Sequence, residues 1–145
     1  MGPTKRGKGS KIMDISDPSS LPVAVCLAAA SPGEVTLVEA TIAARFTRKN
    51  PTRLIGDRAF DSDPLDEKLR KHHIVLIAPH RRNRVRPKTQ DGRPLRRSKR
   101  RWNVERLHAW LQNYRHLVTR YEYKPENFLA FIHLGCVLIL LRHYF

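Results

Sequence analysis

Arg53-Leu54-Ile55-Gly56-Asp57-Arg58-Ala59-Phe60-Asp61-Ser62-Asp63 decides the fold class of this chain. Leu54 and Ile55, flanked by Pro51 and Gly56, suit a short buried strand over Arg53 to Asp57, with Asp57 at its carboxyl end. Ser62 or Asp63 then caps a helix that has Pro64 at its first position. Asp66 and Glu67 fall in the first turn, where carboxylates face the positive end of the helix dipole. Ile74 to Ala78 repeats the short apolar strand. Upstream, Lys11 to Ser16 and Leu21 to Ala28 read as two strands of a hairpin joined by Asp17-Pro18-Ser19-Ser20. Ser31-Pro32-Gly33-Glu34 reads as a helix start, with Ser31 as cap and Pro32 first. Val35, Leu37, Val38, Ile42 and Phe46 follow at helical spacing. Hairpin, helix, strand, helix, strand predicts an α/β fold: a mixed sheet with flanking helices.

Downstream the pattern breaks. More than half of the stretch from Arg81 to Arg101 is Lys or Arg, against the single acid Asp91. Punctuated by Pro79, Pro87, Gly92 and Pro94, residues 79–101 form either a long basic loop or a disordered arm. Helix resumes near Ser98, with Val104, Leu107, Leu111, Tyr114 and Val118 on one apolar face. Glu105 lies about 100° from Val104 on that wheel, in a row with Arg101, His108 and Gln112, at the edge of the buried face. The apolar stretch from Phe128 to Leu141 is short for a membrane span and suited to a core helix. Residues 1–11, with Lys5, Arg6, Lys8 and Lys11 among three glycines, read as a flexible basic lead-in to one domain over 1–145.

The balance of 28 Lys+Arg against 13 Asp+Glu, net +15, calls for a polyanionic partner. Nineteen of those bases are Arg, whose planar fork suits bidentate phosphate contact, so nucleic acid leads over membrane. Cys26 and Cys136 stand apart in apolar surroundings and read as buried free thiols. Met1 to Lys11 has no apolar run behind it, and a soluble, cytoplasmic protein is expected. Gly2-Pro3-Thr4-Lys5-Arg6-Gly7-Lys8 begins like a P-loop, but Gly9 follows where Ser or Thr belongs. His72, His73 and His80 lack a second ligand set and read as surface histidines.

Two carboxylates on rigid elements, Asp57 and Glu105, are the candidates for chemistry. Asp57 is either a hard oxygen ligand for a divalent cation or the cap of a turn. Glu105 is either a second ligand or half of a solvated ion pair with Arg101 or Arg106. The basic run is of one sign, as phosphate contact requires and a mixed solvated face does not.

These pieces together resemble the catalytic portion of bacterial insertion-sequence transposases of the DDE type, most closely the insertion sequence five family. The likeness is carried by Gly7-Lys8-Gly9-Ser10-Lys11-Ile12, Leu21-Pro22-Val23-Ala24-Val25, Ala30-Ser31-Pro32-Gly33-Glu34, the Gly56 to Asp63 element, Ile77-Ala78-Pro79 and Arg101-Trp102-Asn103-Val104-Glu105-Arg106. The resemblance implies an RNase H-like fold in which three carboxylates hold two divalent metals, Mg²⁺ or Mn²⁺, for DNA cleavage and strand transfer. It implies that Asp57 is the second acidic position and Glu105 the third, both catalytic metal ligands. Arg101 matches the arginine of the signature around that glutamate. Ser98 stands where the family has tyrosine and Gln112 where it has a basic residue; Lys99 or Arg115 are the available substitutes.

The family's first aspartate precedes the stretch that begins here at Gly2, and Asp14 and Asp17 fall on or after what resembles the following strand. The expectation is therefore an RNase H-like sheet lacking its first strand at one edge, weakened metal binding, and a chain nearly inactive alone. It would be either the downstream half of a transposase completed by frameshifting or a truncated remnant. Double-stranded DNA, both insertion-sequence ends and target, is the expected partner, with an upstream half or intact transposase as a possible second, in a bacterial, nucleoid-associated setting and with no membrane. Lys5, Arg6, Lys8, Lys11, Arg81, Arg82, Arg84, Arg86, Lys88, Arg96, Arg97, Lys99, Arg100 and Arg101 are the candidate phosphate contacts. A non-catalytic DNA-binding regulator is the rival, and an RNA-binding structural protein a third reading.

Overall fold

The computed structural model describes residues 2–4, 7–90 and 92–145, with the side chains of residues 1–8, 93 and 100 outside the description. Lys5, Arg6 and Asp91 therefore lie outside the described residues, as do the side chains of Lys8, Arg93 and Arg100. The architecture is mixed α/β, with small sheets and flanking helices. Strands β1 (Gly2–Thr4), β2 (Gly7–Ser16) and β3 (Pro22–Ala29) form an antiparallel sheet; β4 (Arg53–Ile55) and β5 (Val75–Ile77) form a parallel pair. The expected hairpin is present but longer, because the glycine-rich lead-in extends β2 and pairs with β1 instead of trailing free. In place of one mixed sheet there are two, with no strand between β2 and β4 among the described residues.

The hairpin turn is built by Asp17, whose Oδ1 accepts from the backbone N–H of Ser19 and of Leu21, both at 2.8 Å. It drives Ser20 to φ 68, buried, in a conformation non-glycine residues seldom adopt. Helix α1 (Glu34–Ala43) starts later than the Ser31 reading, with Gly33 in the cap position and no side-chain cap. Val38, Thr41 and Ile42 face inward from it, while Phe46 lies beyond its end and is exposed. Helix α2 (Asp63–Lys71) is capped by Ser62, which accepts from Leu65 N–H. Beyond its C-cap His72, His73 at φ 58 turns the chain towards β5.

Two apolar cores result. In the first, Leu21 and Val25 of the hairpin region pack against Leu107 and Leu111 and against Phe128, Ile132, Cys136 and Ile139. In the second, Val38 and Ile42 of α1 meet Leu65 and Leu69 of α2 with Ile74, Leu76 and Ala78. Helix α6 (Pro125–Tyr144) closes the first core. At 20 residues it is longer than the apolar run from Phe128 to Leu141 suggests, and by length and composition it could cross a membrane. Only one face of it, Phe128, Ile132, Gly135, Cys136 and Ile139, is buried in the first core, while Phe131, Leu134, Val137, Leu138 and Leu141 are exposed on the other. Gly135 permits the close approach: a Cβ there would lie 3.0 Å from Leu117 Cδ1.

Residues 79–101 are neither wholly loop nor arm. Short helix α3 (Gly92–Leu95) and a 3-10 turn (Arg96–Arg101) lead directly into α4 (Trp102–Leu111). The predicted helix to Val118 is interrupted after Leu111 and continues as the separate short α5 (Arg115–Val118), so Val118 is exposed.

Candidate catalytic cleft

Between the two sheets runs a cleft of about 1040 Å³, walled by residues 12–17 of the β2 region, residues 49–57 around β4, and the start of α4. Asp57 and Glu105, singled out by sequence, both line it. So do Asp14, Arg97, Arg101, Asn103 and His108.

Asp57 follows β4 and precedes the 3-10 turn Arg58–Phe60. Its Oδ1 accepts from Ala59 N–H at 2.7 Å, so locally it is the turn cap that its residue type suggests. Gly56 before it faces the Phe60 ring, where a Cβ would lie 2.8 Å from Cδ2, and this contact requires glycine. Glu105 projects from the first turn of α4, largely exposed, with Arg101 Nη2 3.3 Å from its Oε1. The solvated ion pair that the local sequence suggests is therefore present.

Asp14, set aside in the sequence, is the most buried acid of the cleft, with its side chain 3% exposed on β2. His108 Nε2 lies 3.1 Å from its Oδ1, and that hydrogen bond raises the His108 pKa above its usual value. Among the described residues, Asp14 Oδ2 and the Oδ1 of buried Asn103 have no hydrogen-bond partner. Burial, with the Asp14 charge adding to it, pushes the Cys136 thiol up to about 12, so this cysteine is an inert core residue. Cys26 is only half-buried.

Asp57 and Glu105 supply the hard oxygen donors that Mg²⁺ or Mn²⁺ takes. They match in kind, and they are fewer than a closed site needs. Among the described residues no three His, Cys, Asp or Glu side chains converge to hold a metal.

The basic residues divide by what they touch. Arg84 is 10% exposed and bridges Asp61 Oδ1 at 2.9 Å and Asp63 Oδ1 at 2.7 Å. Its pKa is raised chiefly by the Asp63 hydrogen bond, with burial opposing. Burial opposes ionisation of Asp61, yet the Arg81 backbone N–H, His80 and Arg84 together hold its pKa below the usual carboxylate value. Hydrogen bonds from Arg84 and Arg86 do the same for Asp63. His80 is thus no surface histidine: it is 10% exposed, with Nδ1 2.9 Å from Asp61 Oδ1. Arg81 donates to the carbonyls of Arg58 and Ala59, and Lys11 reaches Pro32 O and Glu34. Arg82, Lys88, Arg96, Arg97 and Lys99 are exposed, and Arg101 shares its charge with Glu105. Gln90, unnoticed in the sequence, ties the loop to the end of β5 by accepting from Ala78 N–H and donating to Leu76 O.

Arg106 was also missed as a contact residue. Its guanidinium lies 4.6 Å from the Trp102 ring centre and 5.2 Å from that of Trp110. It donates to Ser20 Oγ at 2.7 Å and to Ser19 O at 3.0 Å, fastening α4 to the hairpin turn.

The chain is 35% identical, over 94% of its length, to a putative transposase for insertion sequence element IS402 from Burkholderia cepacia. It spans 65% of that relative's length. No solved structure matches it. A family model described as the transposase DDE domain matches residues 2–140, and this chain belongs to that family.

Proposed function

We propose that this chain is the catalytic portion of an insertion-sequence transposase with an RNase H-like arrangement, in which Asp57 and Glu105 hold a divalent metal against DNA. The observation that carries the reading is that these two carboxylates, far apart in sequence, line one cleft together with Arg97 and Arg101. Mg²⁺ commonly binds through one or two carboxylates completed by substrate phosphate and water, so an open pair suits a site finished by DNA. Bound there, a divalent metal would supply Lewis acidity at a phosphate oxygen and a more acidic water. Asp57 keeps a fixed direction because its Oδ1 is held by Ala59 N–H. Arg101 balances Glu105 until a phosphate competes for the guanidinium. Arg82, Lys88, Arg96, Arg97 and Lys99 track the backbone as exposed cations.

On this reading the chain alone nicks DNA weakly or not at all, because two carboxylates stand where the family uses three. The test is metal-supported nicking of DNA carrying insertion-sequence ends, by a polypeptide extended to the full length of the relative. Asp57→Ala and Glu105→Ala should each remove nearly all nicking while leaving DNA affinity within about twofold. Full activity of Asp57→Ala would sink the assignment. The second reading, a non-catalytic DNA-binding regulator of transposition, is favoured by the engagement of Asp57 as a cap and Glu105 in an ion pair. It predicts salt-dependent DNA binding with no metal dependence of any activity.

A further inference from the structure

We propose that the outer face of helix α6 is a self-association surface, on which a second copy of this chain lays its own α6 antiparallel. The surface is separate from the cleft and shares no residue with it.

Helix α6 is apolar on two opposite sides. One stripe, built on Phe128, Ile132, Gly135, Cys136 and Ile139, is buried in protein. At about 100° per residue, Ala130, Leu134, Val137, Leu141 and Tyr144 fall on the opposite side, and all five are exposed. Their steps of 4, 3, 4 and 3 residues follow the repeat of about 3.5 with which one helix packs along another. A helix with a single packed face carries polar residues on its back. Here the back is a second apolar seam, shaped for a second helix.

The borders of this seam are already set. Phe131 is stacked on His116 with ring centres 5.1 Å apart, and His133, on the other border, meets Phe46 edge-on at 5.6 Å. Side chains held in this way lose little freedom on docking. With Phe131 and Leu138 the seam exposes on the order of 600 Å² per copy, so a symmetric pair would bury about 1,000 Å² in all. That is the low end for a specific interface, and a dimer of modest affinity follows.

Charge selects the occupant and its direction. At a net +15, two copies repel wherever their bases face each other. From Asn127 to Leu141 the helix has no Lys, Arg, Asp or Glu, so copies meet here without repulsion. Its charges lie at the ends, Glu126 in the first turn and Arg142 with His143 in the last. Parallel pairing would set Arg142 beside Arg142. Antiparallel pairing brings the Glu126 end of each helix to the Arg142 end of the other and opposes the two helix dipoles. In that register Leu134 of one copy packs against Val137 of the second, and Ala130 against Leu141, about a twofold axis.

Sedimentation equilibrium of the chain over about 1–200 µM, at about 0.5 M salt to screen its charge, reads the association. The expected result is a reversible monomer–dimer equilibrium with Kd on the order of 10 µM. Leu134→Glu and Val137→Lys change exposed positions outside the core. Each should keep the thermal midpoint of the parent and weaken dimerisation at least about a hundredfold. An equimolar mixture of the two should dimerise within about tenfold of the parent, because only the antiparallel register sets the new carboxylate against the new ammonium. The proposal is overturned if the parent stays monomeric throughout, if both variants dimerise like the parent, or if the mixture stays monomeric. Binding of the parent, but not of Leu134→Glu, to neutral phosphatidylcholine vesicles would make lipid the occupant and also overturn it. So would a monomeric polypeptide of the relative's full length whose Leu134 to Leu141 amides exchange slowly, since its added part would then cover the seam. None of these readouts uses metal or DNA, so they stand apart from the nicking assay.

Discussion

Replacing Arg106 tests whether α4, and with it Glu105, is held by a side-chain anchor or only by its apolar face. The guanidinium donates to the hydroxyl of buried Ser20 at 2.7 Å and to the Ser19 carbonyl at 3.0 Å, between two tryptophan rings. A charge-assisted hydrogen bond to a buried acceptor is worth about 1.5–3 kcal/mol. Each half-exposed cation–π contact adds about 0.5 kcal/mol. Releasing the side chain returns about 1–2 kcal/mol of rotamer entropy. The net expectation for Arg106→Ala is a loss of about 2 kcal/mol, because Ser20, already at φ 68, is left buried without its donor. Arg106→Lys keeps the charge but not the fork, and should lose at least about 1 kcal/mol. Urea unfolding followed by tryptophan fluorescence reads both, since Trp102 and Trp110 flank the residue and an unchanged denaturant slope confirms a comparable transition. In a double-mutant cycle with Ser20→Ala the coupling should exceed about 1 kcal/mol. If Arg106→Lys lies within about 0.5 kcal/mol of the parent and the cycle is additive, the anchor argument is wrong.

Leu107 is fully buried in the first core, and Leu107→Ala should cost about 2–4 kcal/mol in the same urea assay. His108, with its pKa raised by Asp14, contributes stability fully present below its unfolded value of about 6.5. That contribution disappears as pH rises through the higher folded value, so the urea midpoint should fall as pH rises above about 6.5, and His108→Gln should lessen the fall. In DNA binding, Arg82→Ala should lower the slope of log K against log salt by about 1, whereas Arg84→Ala should leave the slope alone and destabilise the fold. An Arg84→Ala slope change equal to that of Arg82→Ala would refute the division between structural and phosphate-facing bases. Glu105→Gln should alter stability by less than about 0.5 kcal/mol, as befits an exposed i,i+4 ion pair.

Local order was legible wherever one segment settled its own structure. β4, α2 and β5 follow from Leu54 and Ile55, from the Ser62 cap with Pro64, and from the Ile74 to Ala78 run. The hairpin follows from the Asp17 turn. What sequence did not reveal depends on distant partners. Arg84 looks like any base in a basic run until Asp61 and Asp63, far upstream, are seen to enclose it. Asp14 reads as an ordinary strand residue until α4 brings His108 beside it. The glycine-rich start reads as flexible because Gly lowers strand propensity, yet pairing across β1 and β2 outweighs it.

Capping and metal binding by Asp57 are compatible, and this bears on how the cleft could be built without a bound ion. A carboxylate offers about four lone-pair sites, of which the Ala59 N–H takes one. The cap fixes the carboxylate plane relative to β4 and leaves Oδ2 for another partner, the kind of orientation that ligands usually receive from surrounding hydrogen bonds. Glu105 is arranged differently: its Arg101 partner is one helical turn away and largely exposed, a weak contact that a stronger ligand displaces at little cost. One carboxylate of the cleft is therefore held rigidly and the other loosely.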